Sequence, residues 1–233
     1  MNSAGYGLLQ RIQVPGHFFS VARGPIAEAP APPPTLVHVG ADTAEEAEWW
    51  AGEWPGARSV LVEANPDAVA ELVAGDMPPH TMVLHRALAE SDGPASLYIQ
   101  ERRTASSLFP VHTVEQYDVR HTYARTVMVE GRTLASLLNE AGVMRADLLL
   151  LNCEGAERWA LAALAGDVTL RARVRQICVA VHHWDRDWLT APESDALFAA
   201  VSADYEVFCV RPHQTAEYRL LVRRDLKTGG TAA

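Results

Sequence analysis

The chain has 233 residues, 48% of them hydrophobic and 21% charged, which is enough apolar material for one buried core and too much for a disordered chain. Acidic residues outnumber basic ones 29 to 20, a net charge of −9, so the reading expects no nucleic-acid partner and no membrane partner: phosphate backbones and anionic surfaces both call for a basic field. No apolar run approaches the roughly 20 residues of a membrane span, no secretory signal is visible at the start, and Cys153, Cys178 and Cys209 are spaced as neither a disulfide framework nor a zinc ribbon, so a cytoplasmic protein is expected.

Residues 1–34 are rich in Gly and Pro and end in Ala29-Pro30-Ala31-Pro32-Pro33-Pro34, a stiff extended lead-in. Within it, Leu8 to Ile12 has the pattern of a short docked helix. One domain is expected over 35–226, followed by a frayed Gly/Thr-rich tail, 227–233. The domain opens with an apolar strand, Leu36 to Val39, that ends at Gly40, and helix formers follow from Ala44 to Glu53. Ser59 to Val62 is a second strand. The helix after it, Asp67 to Ala74, has Asn65 as cap and Pro66 at its first position. Met82 to Leu84 is a third strand.

The rhythm then breaks: Ala95 to Gln100 and Arg125 to Glu130 read as extra strands around a long polar loop, 101–124. Further on come a helix from Leu134 to Glu140 capped by Thr133, a strand from Asp147 to Leu151 and a helix from Ala156 to Leu164. A strand from Gln176 to Val181 and a helix from Glu193 to Val201 precede two closing strands, Val207 to Val210 and Tyr218 to Val222. This alternation predicts an α/β fold, a doubly wound, seven-stranded, mainly parallel sheet of Rossmann-like type. The closing pair has no room for a crossover and is therefore antiparallel.

In such sheets ligands bind beyond the carboxyl ends of the strands. Glu63 lies 23 residues past the Gly40 turn, close to the roughly 20 expected of an acid that accepts hydrogen bonds from two ribose hydroxyls. The G-x-G-x-x-G fingerprint is absent, and Asp42, Glu45 and Glu46 follow the glycine. Their charges oppose a pyrophosphate at the helix N-terminus. S-adenosylmethionine, a nucleoside with no phosphate and a positive sulfonium, suits an acidic glycine-turned loop better than NAD or ATP.

Val37-His38-Val39-Gly40-Ala41 with Glu45-Glu46, Glu63-Ala64-Asn65-Pro66, Ala87-Leu88-Ala89-Glu90-Ser91-Asp92-Gly93, Ser106-Ser107-Leu108, Thr133 to Leu138, and Asn152-Cys153-Glu154-Gly155-Ala156-Glu157 occur in this order. In order and spacing, over residues 36–165, they resemble the FkbM-type methyltransferases. Asn152 stands where that family usually has Asp, and Thr43 where it usually has Gly. The resemblance implies a class I methyltransferase that uses S-adenosylmethionine to methylate oxygen on a small molecule or sugar. It further implies Gly40, Ala41 and Asp42 along the methionine part, and Glu63 on the ribose with Ala64 and Asn65 beside it. Arg86 and Ala87 would lie near the adenine, Ser106 and Ser107 over the cofactor, and Asn152 with Glu154 at the methyl-transfer face.

An acceptor hydroxyl has to lose its proton, and His182 or His183, after the fifth strand, is the natural base, with Glu154 the second candidate. Strand alternation lets only one of the two histidines face the cleft. His182, His183, Glu154 and Asp185 are metal-ligating types, but no spacing specifies a site and no metal is expected. Trp49, Trp50 and Trp54 are assigned to packing, and Tyr117, Trp184 and Trp188, near the expected rim, to acceptor binding. The partner expected is a small-molecule acceptor, and assembly into a homo-oligomer stays open. Rival readings are a cofactor-binding module of the same fold without turnover, a nicotinamide oxidoreductase, and methyl transfer to nitrogen or carboxylate.

Overall fold

The computed structural model describes residues 12–14, 17–19, 33–43, 45–110, 123–182, 191–212 and 216–225. A short antiparallel pair, β1 (Ile12–Val14) and β2 (His17–Phe19), precedes the main domain. Ile12 therefore lies in a strand, and the rest of the helix expected over Leu8 to Ile12 falls outside the described residues. The first half continues with β3 (Thr35–Val39), α1 (Glu45–Glu53), β4 (Arg58–Glu63), α2 (Pro66–Ala74) and β5 (Thr81–His85). Next come β6 (Ala87–Leu88), β7 (Gly93–Gln100), a 3-10 turn (Arg103–Ala105) and β8 (Tyr123–Arg132). The second half is α3 (Leu134–Glu140), β9 (Leu148–Leu151), α4 (Glu157–Gly166), α5 (Val168–Ala172), β10 (Gln176–His182), α6 (Ala191–Val201), β11 (Tyr205–Pro212) and β12 (Ala216–Arg223).

The main sheet has seven strands in the order β11-β12-β10-β9-β3-β4-β5. Strands β10, β9, β3, β4 and β5 pair in parallel, and β12 runs antiparallel to both β10 and β11. From β3 the chain winds outward through β4 and β5, then returns to β9 on the other side. The β3–β9 boundary is thus the switch point at which an open α/β sheet forms its crevice.

Strands buried on both faces read as continuous apolar runs, as Leu148 to Leu151 does. Alternation sends Leu149 and Leu151 into one core with Leu137, Leu161, Leu164 and Phe198, and sends Leu148 and Leu150 into another with Trp50, Trp54 and Cys178. The tryptophans of α1 are packing residues, as expected. Helix starts follow the capping rules: Asn65 Oδ1 accepts from Asp67 N at 3.0 Å, and Thr133 Oγ1 from Ser136 N at 3.2 Å. The break in rhythm is a separate three-stranded sheet, β6-β8-β7, standing beside the carboxyl edge.

Candidate active site

A cleft opens at the carboxyl ends of β3, β4, β5 and β9, with about 560 Å³ of space that includes its open mouth. Gly40, Asp42, Glu63, Ala64, Asn65, Arg86, Ala87, Ser106, Ser107, Asn152 and Glu154, all singled out from the sequence, line it. Ala41 does not. Its side chain is buried in the core with Ala47, Leu61 and Leu72. His182 is also absent from the lining and lies behind Glu154. His183, Trp184, Asp185, Trp188 and Tyr117 lie outside the described residues.

Gly40 adopts φ +83° and donates its N–H to Val62 O at 2.9 Å, while Asn152 N donates to Val39 O at 3.0 Å. The loops after β3 and β9 therefore pass in direct backbone contact, an approach open only to a residue without Cβ. Beyond the turn, Asp42 also takes a positive φ, +41°. Its N–H donates to Glu63 Oε2 at 2.9 Å, and Asn65 N donates to Glu63 Oε1 at 2.7 Å. Glu63 is thus fixed between two amides at the end of β4 while only 8% exposed. Burial raises its pKa, and the two amide hydrogen bonds pull it back only in part. Beside it, Asn65 Nδ2 is buried with no hydrogen-bond partner.

The acidic loop is not arranged as its sequence suggests. Asp42 Oδ1 accepts from Arg103 Nε at 2.9 Å, and Arg103 reaches on to Glu71 Oε2 at 2.6 Å. Glu45 is exposed, and Glu46 is buried, its Oε2 3.5 Å from His38 Nδ1. None of the three presents a free charge to the cleft. Arg103, which lines the cleft, had no local signal, because its partners are 61 and 32 residues away in sequence.

Ser106 and Ser107 close one side. Ser106 Oγ donates to Arg103 O at 2.7 Å, ordinary turn geometry. Ser107 Oγ donates to Glu154 O at 2.6 Å and accepts from Phe109 N at 3.0 Å, while the Phe109 ring stacks on Trp159 with centroids 5.0 Å apart. The strap is thereby pinned to the β9–α4 turn. On the opposite wall, Arg86 forks onto Glu140, Nε to Oε2 at 3.1 Å and Nη2 to Oε1 at 2.7 Å.

The β9–α4 turn carries Glu154 at φ +50° and Gly155 at +98°. Glu154 Oε1 lies 3.3 Å from His182 Nε2, and Glu157 Oε1 lies 2.5 Å from His182 Nδ1. Burial disfavours a charged ring there, but the Glu154 and Glu157 carboxylates outweigh it and hold His182 well above the usual histidine range. Burial, with Glu157, Glu154 and Glu63 nearby, also pushes the Cys153 thiol well up, so it is an inert lining group. The two carboxylates meet opposite ring nitrogens and do not converge on one point. No group of three or more metal-ligating side chains occurs among the described residues.

No family model and no curated protein matches the chain. Among solved structures it is similar to the METTL16 MTase domain, with a TM-score of 0.45 at 10% identity over 82% of this chain and 59% of that one. M. capricolum TrmK in complex with S-adenosyl-homocysteine gives 0.40 at 8% identity, over 82% and 62%. Burkholderia thailandensis 1,6-didemethyltoxoflavin-N1-methyltransferase, with bound 1,6-didemethyltoxoflavin and S-adenosylhomocysteine, gives 0.40 at 14% identity, over 82% and 71%. The chain spans about three fifths of the METTL16 chain. The fold assignment stands on strand order alone. No helix among the described residues is long and apolar enough to cross a membrane.

Proposed function

We propose that the protein is an S-adenosylmethionine-dependent O-methyltransferase acting on a small-molecule or sugar hydroxyl, related to the FkbM-type enzymes, with residues 35–226 as its methyltransferase domain. The observation that carries this reading is Glu63, a buried carboxylate braced by the Asp42 and Asn65 amides at the floor of the switch-point cleft. A carboxyl oxygen with one amide on it keeps a lone pair for a ribose hydroxyl.

The other lining atoms fit the same ligand. Asn65 Nδ2 is an unpartnered donor beside Glu63, and Glu154, also in the lining, has a buried, unpartnered Oε2. The cleft has Arg86 and Arg103 among its lining residues, but both are engaged by carboxylates, Glu140 on one and Asp42 with Glu71 on the other, so neither offers a free cation to a diphosphate. The chain's acidic balance likewise favours a neutral small acceptor over a nucleic acid.

When bound, S-adenosylmethionine supplies a methyl group made electrophilic by its sulfonium. The protein's contribution is to hold, dry and orient. Glu63 and Asn65 fix the nucleoside end, and the Ser106–Phe109 strap excludes water. Glu154, a lining residue whose Oε2 has no hydrogen-bond partner, is the group that takes the proton from the acceptor hydroxyl in this proposal. His182, with Glu154 on Nε2 and Glu157 on Nδ1, holds Glu154 in place. The base is thereby Glu154 rather than His182, which is absent from the lining.

The test is transfer of labelled methyl from S-adenosylmethionine to a panel of sugar and small-metabolite hydroxyls. Turnover of at least one acceptor, reduced about 100-fold or more by Glu154→Gln, is expected. Transfer only to nitrogen or carboxylate acceptors, or full activity in Glu154→Gln, refutes the assignment.

A further inference from the structure

Behind the cleft floor lies a buried charged array of which the reaction above uses one atom. Strand β10 carries His182 to the carboxyl edge of the sheet, and the positive-φ turn at Glu154 and Gly155 folds the chain back over it. Glu157, at the first position of α4, is held by His182 Nδ1 at 2.5 Å and by Cys153 N at 3.3 Å. Glu154, which lines the cleft, puts Oε1 on His182 Nε2 at 3.3 Å, and its Oε2 is buried without a hydrogen-bond partner. Among the described residues the array sets two acidic side chains against one histidine. The Cys153 thiol and the Tyr218 hydroxyl also feel this array, and burial pushes both pKa values up, so they stay neutral near pH 7. Within this array Glu154 Oε2 is the buried carboxyl oxygen without a hydrogen-bond partner.

A buried carboxylate oxygen without a partner is destabilising until a donor or a cation meets it. Charge pairs in such a place interact several-fold more strongly than in water. We infer that His182 and Glu157 are positioning residues for Glu154, holding it so that Oε2 makes the cleft select a cationic ligand over the same ligand lacking the charge. The inference rests on the S-adenosylmethionine reading, because S-adenosylmethionine and S-adenosylhomocysteine differ by one methyl group and that positive charge. An enzyme so built holds its charged substrate and loosens on its neutral product.

Two measurements on the full chain test this. Calorimetric titration with S-adenosylmethionine and S-adenosylhomocysteine at about pH 7.5 gives the ratio of their affinities. Glu154→Gln lowers the preference for the cation about tenfold and Glu157→Gln lowers it several-fold, while affinity for S-adenosylhomocysteine moves less than about threefold. Glu154→Gln carries the test should Glu157→Gln fail to fold. NMR of 15N-histidine-labelled, ligand-free protein shows both His182 ring nitrogens protonated at about pH 8, and Glu157→Gln lowers that titration by at least about one pH unit. A ratio unmoved by Glu154→Gln, or a neutral His182 at pH 8, overturns the inference alone. Binding of neither ligand by the wild-type chain removes the cofactor reading and this inference with it.

Discussion

A Cβ added to Gly40 would lie 1.9 Å from the carbonyl oxygen of Asn152 and 2.7 Å from its carbon. The floor of the cleft is therefore two backbones in contact, and side-chain adjustment cannot relieve a substitution there. Gly40→Ala combines a forbidden approach with a left-handed φ and is expected to destabilise by about 3 kcal/mol or more. Gly142, at φ +62° with nothing within 4 Å of where a Cβ would sit, is the matched control. Gly142→Ala carries only the conformational part, about 1–2 kcal/mol. Urea unfolding of both variants separates the contact from the dihedral, and equal losses would contradict the contact.

Stability should depend on pH through His182. Its folded pKa is raised, so the stabilisation from its proton is fully present below the unfolded value of about 6.5 and is lost as pH rises through the folded value. Thermal melts of wild type and His182→Gln between about pH 6 and about pH 9 check this. The wild-type advantage should shrink as pH rises, and an advantage that grows with pH would contradict the buried imidazolium.

The strap over the cleft hangs on Ser107, whose hydroxyl both donates to Glu154 O and accepts from Phe109 N. Ser107→Ala removes one hydrogen bond from each of two part-buried backbone groups and should lower stability by about 1–2 kcal/mol. It should also speed dissociation of S-adenosylhomocysteine in stopped-flow fluorescence, since Phe109 no longer settles on Trp159. Unchanged dissociation would show that the strap does not gate the cleft.

Arg103 makes a contrasting case. Its partners are partly exposed, Asp42 at 27% and Glu71 at 64% of side-chain area. Screening by solvent limits such pairs, so Arg103→Gln should change unfolding free energy by less than about 1 kcal/mol in urea titrations. A larger loss would mean that Arg103 organises the cleft rather than neutralising Asp42.

Much of this fold is legible in the chain because its signals are local. Leu36 to Val39 and Leu148 to Leu151 announce buried parallel strands by composition, and Asn65-Pro66 and Thr133 announce helix starts by capping chemistry. What escaped is non-local or very short. Strand β6 is only Ala87–Leu88 and exists because β8 pairs with it more than 40 residues later. Helix α5 spans five residues, too few for a period, although Asp167 caps both Thr169 N and Leu170 N. The positions of most cleft residues followed from the rule that strand ends line the crevice. Their electrostatics did not: Asp42 is neutralised by a distant arginine, Glu46 turns to His38, and the histidine read as a base has a carboxylate at each nitrogen. Charge on a loop can be counted from sequence, but where it points is set by tertiary partners.

Glu63, holding a phosphate-free nucleoside at the switch point, is the centre of the proposed function. Calorimetric titration of the full chain with S-adenosylhomocysteine, beside Glu63→Ala, tests it most directly. The prediction is saturable binding by wild type, weakened at least about tenfold by Glu63→Ala with the fold intact by circular dichroism. Equal binding by both proteins, or none by the wild type, would contradict it.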